Sequence, residues 1–361
     1  MTITIDRIKA SYGLIYISIF LLGLNFLIFS GLNLIEGGGA KNILRFLSLF
    51  FLIMVVFING KIKKYDFLFF LLLFIIFLVN LNDLALNLVY IFVFFMALRN
   101  ISIEHIIGKS FFIFLFLSAV HIFLYFFGFL NESITNYDNR VRYSFGFENV
   151  NKLSVFYYTL FAFSFLYFKK TTLIGKILSV FVGLLSFYFI ILSDSRTALF
   201  CMMLNLVLLL LIKFDLFRFI LEKINPFLLS FFVVFSLYLS SDYGMYFNSI
   251  LSYRPEYFNN YIDFIFLDYF GFFFGVGIYD AYPIDNSYLL FLGSVGFIFS
   301  FIFMLFMFIC TLKNKIVFDF FPIVFSTLLY GVFESVLIRP EFFLSILVLY
   351  VYLFGVDEAS R

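Results

Sequence analysis

The sequence predicts an all-α polytopic integral membrane protein, with about 12 transmembrane helices and one large extracytoplasmic loop bearing a short amphipathic helix. Three observations predict it. Hydrophobic residues fill 64% of the 361 positions and charged residues only 13%, with a mean hydropathy of +1.10, far from the balance of a water-soluble domain. Apolar runs of roughly 15 to 25 residues recur along the whole chain, the length a helix needs to cross hydrocarbon. Lysine and arginine gather in alternate connections between those runs, as the positive-inside bias requires.

In order, the runs lie near residues 11–30, 43–59, 66–80, 84–98, 107–129, 151–168, 173–192, 196–212, 226–240, 285–311, 316–334 and 340–355. Their short connections predict one helical bundle over residues 1–361 rather than two or three domains. The first run is followed by Asn33 and three glycines, not by a small-residue cleavage site, so no cleavable signal peptide is expected. With both termini cytoplasmic, only eight of the 24 basic residues fall outward: Lys41, Arg45, Arg140, Arg142, Lys152, Arg196, Arg254 and Arg339. A multi-pass protein of the cytoplasmic (inner) membrane is the expected placement.

Composition also excludes. A net charge of +2 leaves no footprint for nucleic acid. Cys201 and Cys310 sit in apolar runs at opposite expected depths, and His105 and His121 are the only histidines. Neither a disulfide nor a metal centre built on these residues is expected, and no cofactor. Sixty-four Phe and no Trp leave Tyr as the interface anchor, with bulky rings packed around glycine.

The outward cations carry the functional signal. Every even-numbered span runs inward, so its positive dipole end points outward. Arg142, Lys152, Arg196 and Arg339 therefore stand at the unfavourable end of a helix, at a cost of roughly 0.3–1 kcal/mol each when exposed. An anion nearby would offset that cost. Two outer loops, 131–150 and 241–284, frame the position. The first is polar and re-enters the membrane through the Asn-rich turn holding Asn149 and Asn151. In the second, Pro255 suits a first helical turn, with Phe258, Tyr261, Ile262 and Ile265 on one face and Glu256, Asn259, Asn260 and Asp263 on the other. Gly271, Gly275 and Gly277 follow and allow sharp turns.

Guanidinium groups gathered near helix N-termini suit a diphosphate, whose oxygens they bind in pairs. Each has a simpler reading. Arg196 could snorkel beside Ser193 or Asp194, Arg254 could pair with Glu256 on the surface for ~0–1 kcal/mol, and Arg140 and Lys152 could be solvated or headgroup charges. Transfer of a sugar from a diphosphate also gains from a base for the attacking hydroxyl. Asp285 is the first candidate, although Asp285 or Asn286 could simply cap the tenth span. Glu148 is a rival, and Glu334 another unless Arg339 holds it. His121, at mid-span, reads as a hydrogen-bonding residue of the bundle interior.

Three pieces in order, RYSFGFENVNKLS before a span, SDSRTALF opening another, and YRPEYF, FGVGIYD and DNSYLLFLGSVGFIF around the long loop, resemble the Wzy-type polysaccharide polymerases and the related O-antigen ligases. The matches cover about a quarter of the chain. The resemblance implies an all-helical bundle that joins undecaprenyl-diphosphate-linked oligosaccharides on the outer membrane face by inverting transfer, without a metal, making capsule, exopolysaccharide or O-antigen. Arg142, Arg196 and Arg254 would contact diphosphate or sugar, and Asn149 and Asn151 would shape the turn. Asp285 would stand where ligases carry a histidine, which favours the polymerase over transfer to lipid A core. Lys152, Asn286, Glu334 and Arg339 complete the expected substrate-binding set. The implied partners are the lipid-linked oligosaccharide, membrane lipid, a chain-length regulator and a flippase. A transporter or flippase is the reading from another class, but it calls for charge at mid-depth and an internal repeat, neither of which is visible.

Overall fold

In the computed structural model 81% of the described residues are helical. The structure describes residues 2–32, 34, 38–59, 64–80, 83–99, 101–132, 134–137, 140–267, 269–275, 284–314 and 317–355. Lys61, Lys63, Asp268, Gly277, Asp280, Lys315 and Arg361 lie outside the described residues, as does the side chain of Arg140.

The elements are α1 (Thr2–Asn25), α2 (Gly38–Asn59), α3 (Lys64–Asn80), α4 (Asp83–Leu98), α5 (Ile103–Phe126), β1 (Ile134–Tyr137), β2 (Arg140–Tyr143), α6 (Val150–Phe168), α7 (Leu173–Leu192) and α8 (Arg196–Leu211). They continue with α9 (Asp215–Ile224), α10 (Leu228–Leu239), α11 (Arg254–Leu267), α12 (Tyr269–Phe274), α13 (Ser287–Lys313), α14 (Phe321–Phe333) and α15 (Phe343–Phe354). Among the described residues, six helical segments are long and apolar enough to cross a bilayer: Arg7–Phe29, Gly39–Asn59, Ile103–Phe126, Leu173–Leu192, Asp215–Leu239 and Ser287–Lys313. Four shorter apolar helices accompany them, Leu86–Leu98, Arg196–Leu211, Phe321–Phe333 and Phe343–Phe354.

Helix α7 shows why this bundle belongs in lipid. Its buried side holds Gly175, Ser179, Gly183 and Ser186, packed against α6. Leu173, Ile174, Ile177, Val180, Phe181, Leu184 and Ile191 face outward. Small residues in and large apolar residues out reverse the polarity of a soluble amphipathic helix, and suit close helix approach in hydrocarbon. Buried hydroxyls at the contact of α6, α8 and α14 bond to one another. The Tyr158 hydroxyl meets Ser326 Oγ at 2.8 Å and Thr327 Oγ1 at 3.1 Å, and Ser326 Oγ donates to Asn205 Oδ1 at 2.9 Å. This network ties α6, α8 and α14 together.

The polar loop 131–150 carries more secondary structure than its composition suggests. Strands β1 and β2 form an antiparallel hairpin in which Thr135 stands opposite Arg142. The chain then turns through Phe145 and Gly146, both at positive φ (50° and 84°). Fully buried His121 holds that turn, its Nε2 donating to the Phe145 carbonyl at 2.8 Å while Nδ1 faces the Tyr157 hydroxyl at 2.8 Å. His121→Ala should therefore cost about 2–6 kcal/mol, since two buried partners lose their bonds at about 1–3 kcal/mol each. Thermal unfolding in detergent would measure it, and an unchanged midpoint would deny His121 this anchoring role.

The last two expected spans need correction. Helix α14 begins at Phe321 rather than near 316 and has 13 residues, and α15 has 12, so each reaches only about 20 Å. The chain joining them, Glu334–Phe342, is non-helical and buried apart from half-buried Arg339. Such backbone is tolerated at membrane depth only when protein surrounds it. Helix α13 is also interrupted, at Gly296 (φ 79°, ψ 169°), where Gly275 (φ 96°) packs against it at the end of α12.

Candidate functional site

Glu334 sits just past the last turn of α14, its backbone N–H donating to the Tyr330 carbonyl at 2.9 Å. A carboxylate at the negative end of a helix is unfavourably placed. Four other helix starts converge to offset it. Arg254, the first residue of α11, donates from Nη2 to Glu334 Oε1 at 2.9 Å, the two side chains being 20% and 7% exposed. Thr197, in the first turn of α8, accepts from Arg254 Nη1 at 3.5 Å. Ser287, the first residue of α13, donates to the Glu334 carbonyl at 2.8 Å and accepts from Leu337 N–H at 3.0 Å. Ser154, in the first turns of α6, meets the Tyr330 hydroxyl at 3.1 Å. Asp285 and Arg142 also lie within electrostatic reach of the Glu334 carboxylate.

Local sequence explains each placement. Pro255 stands in the first turn of α11, where a missing N–H costs nothing. Phe258, Tyr261 and Ile265 are buried on one face of α11, whereas Glu256, Asn260 and Asp263 are exposed on the other; burial of the first face fixes where Arg254 points. The guanidinium carbon lies 5.8 Å from the Phe333 ring centroid, which adds a cation–π contact. Asn286 caps α13, its Oδ1 accepting from Tyr288 and Leu289 N–H at 3.0 Å.

Several expectations change. The Asn286 cap frees Asp285 from that duty, and Asp285 is exposed at the mouth of the site. Arg254 pairs with Glu334, not with Glu256, and Glu334 is therefore held by Arg254 rather than by Arg339. The reason is burial: Glu256 is exposed on the outer face of α11, whereas Glu334 is enclosed and needs a counter-charge. Glu148 is tied to Lys152 in an i,i+4 ion pair at the half-exposed start of α6, and Asn149 accepts from Lys152 N–H as the cap of that helix. Asn151 accepts from Ser154 through its carbonyl. Arg196 is exposed at the first position of α8, next to Thr197.

The structure thus brings Arg254, Glu334, Asp285 and Arg142 to one place. The Glu148–Lys152 pair stands apart, and Arg339 belongs to the buried connection before α15. Thr197, Ser287 and Tyr330 join the site without any sequence signal, because a single Thr, Ser or Tyr in an apolar run is common in any helix bundle. Among the described residues no three of His, Cys, Asp and Glu gather as metal ligands would. Compared with known proteins, the chain matches no family model, no curated protein and no solved structure.

Chemically, the arrangement offers anion binding beside a carboxylate. Glu334 and Thr197 engage Nη2 and Nη1 of Arg254, and the guanidinium fork has five donors in all. Helix starts at α6, α8, α11 and α13 add partial positive charge of the same sign. Asp285 supplies an acceptor for a proton at the exposed rim.

Proposed function

We propose that this protein polymerises undecaprenyl-diphosphate-linked oligosaccharide repeat units on the outer face of the cytoplasmic membrane, as a Wzy-type polymerase of about 12 spans with both termini cytoplasmic. The observation that supports the reading is the meeting of Arg254 with Glu334 where four helix starts converge, with Asp285 and Arg142 in reach. A diphosphate is the anion whose charge and oxygen geometry suit such a setting.

In this reading Arg254, with Arg142 and Arg196, binds the diphosphate of the donor chain. The bond between the anomeric carbon and the diphosphate oxygen breaks, and the electron pair leaves with undecaprenyl diphosphate. The acceptor's nonreducing-end hydroxyl attacks the opposite face, and Asp285 takes its proton. One displacement inverts the anomeric centre. Glu334 keeps the guanidinium oriented before substrate arrives, which reduces the reorganisation needed in the transition state.

The test is a labelled lipid-diphosphate repeat unit incubated with purified protein in liposomes. A ladder of longer products is expected. Units that cross the bilayer without lengthening would point to transport instead, and in cells loss of attachment with an intact lipid-linked ladder would point to a ligase. Glu148→Gln should leave the ladder unchanged within about two-fold, because an exposed i,i+4 pair with Lys152 contributes only ~0.3–0.5 kcal/mol and Glu148 lies outside the cluster. Its loss would transfer the role of base from Asp285 to Glu148.

A further inference from the structure

A second feature lies near the opposite end of α5 from the hairpin. Tyr16 and Phe20 of α1 and Lys109, Phe112, Ile113 and Phe116 of α5 enclose a groove of about 250 Å³. The α5 residues fall at i, i+3, i+4 and i+7, one continuous face. Rings of Phe20 and Phe116, 6.3 Å apart, line its far end. At the near end Tyr12 stacks with Tyr16 at 6.0 Å and with His105 at 5.7 Å, and its hydroxyl accepts from Ser102 N–H at 2.9 Å. The groove is thus apolar along its length and carries one cation near one end.

Lys109 stands about 9 Å inside the start of α5 at Ile103. It is exposed and has no ion-pair partner among the described residues, whereas Lys170 is paired with Glu104 of the same helix. An ammonium at that depth on a lipid-facing surface extends its stem toward the headgroups, and an anion there lowers the cost of its position. We infer that this groove holds one anionic phospholipid, its phosphate at Lys109 and an acyl chain along Phe112, Phe116 and Phe20. Charge complementarity selects this occupant, because a zwitterionic lipid fills the apolar wall equally well but brings its own ammonium to its phosphate, so only a lipid of net negative charge supplies an uncompensated anion to Lys109. Lys109 is about 25 Å and Phe116 about 15 Å along α5 from Phe126, and the groove shares no residue with the Glu334 cluster, so it stands independently of the polymerase reading.

Native mass spectrometry of the purified protein, with phosphatidylglycerol or phosphatidylcholine of identical chains added, tests this. One phosphatidylglycerol adduct should bind about five-fold more tightly than phosphatidylcholine, the gain expected of one lysine at a lipid surface. Lys109→Gln should bring the two lipids level. Lys213→Gln, at an exposed lysine between α8 and α9, should keep the preference. Ile113→Trp should remove the adduct by filling the groove. Equal binding of both lipids by the unaltered protein, a preference that survives Lys109→Gln, a loss equally caused by Lys213→Gln, or a dimer abolished by Ile113→Trp would each overturn the proposal.

Discussion

Arg254→Ala should abolish polymer and lower stability by about 3 kcal/mol, because it leaves the Glu334 carboxylate enclosed without its counter-charge. The two losses can be separated. The double variant Arg254→Met, Glu334→Leu replaces the pair with apolar side chains of similar volume, an exchange that is often neutral for folding. It should unfold within about 1 kcal/mol of the unaltered protein and still make no polymer, since no fork remains to bind diphosphate. Arg254→Lys sharpens the point further. Lysine keeps the charge that Glu334 needs but presents a single ammonium instead of a planar fork, so the protein should persist in the membrane while the ladder disappears. Unfolding in detergent and product ladders from liposomes are the two measurements. A double variant that regains stability and also makes normal polymer would remove Arg254 from the chemistry altogether.

Gly296→Ala should be strongly destabilising, because it strikes the close contact between α12 and α13. Gly296 has φ 79°, and a Cβ there would stand 2.4 Å from the Phe273 carbonyl oxygen and 2.5 Å from Gly275 N. Both obstacles are backbone, so no side chain can rotate away. Backbone at φ 79°, ψ 169° is essentially reserved for glycine and costs an L residue about 1–3 kcal/mol, and overpacking adds about 1–3 kcal/mol. A loss of about 2–6 kcal/mol follows, with α12 displaced from α13. Gly13→Ala, where the space is open, is the matched control and should be silent. Reduced protein yield together with a lower unfolding midpoint for Gly296→Ala alone would bear this out; equal midpoints for the two would refute the close approach.

Much of the architecture was legible in one dimension. The helices α3, α4, α6, α7 and α8 lie within a few residues of the apolar runs that announce them, because in hydrocarbon the backbone has no partner but itself and helix follows from apolar length. The amphipathic α11 was legible from Pro255 and from the spacing of Phe258, Tyr261 and Ile265. The hairpin of β1 and β2 was not, since ITNY shows no apolar alternation, RVRY alternates over only four residues, and the two are paired by their backbones. Nor were the true lengths of α14 and α15, whose apolar run hides nine residues of buried non-helical chain that hydropathy cannot tell from helix.

The candidate site divides in the same way. Charge alone marked Arg142, Arg196 and Arg254 as a set expected on one side of the membrane. Which carboxylate each arginine meets was not visible. By proximity in sequence Arg254 belongs with Glu256 and Glu334 with Arg339, yet Arg254 and Glu334, 80 positions apart, are the pair.

Sequence by itself determined that this chain suits a membrane and where most of its helices run, because those properties follow from the transfer free energy of each residue and need no neighbour. Only the tertiary structure decided which cations matter. Burial of Glu334 between the starts of α11 and α13 makes one distant arginine its counter-charge, and enclosure is a property that no stretch of sequence possesses alone.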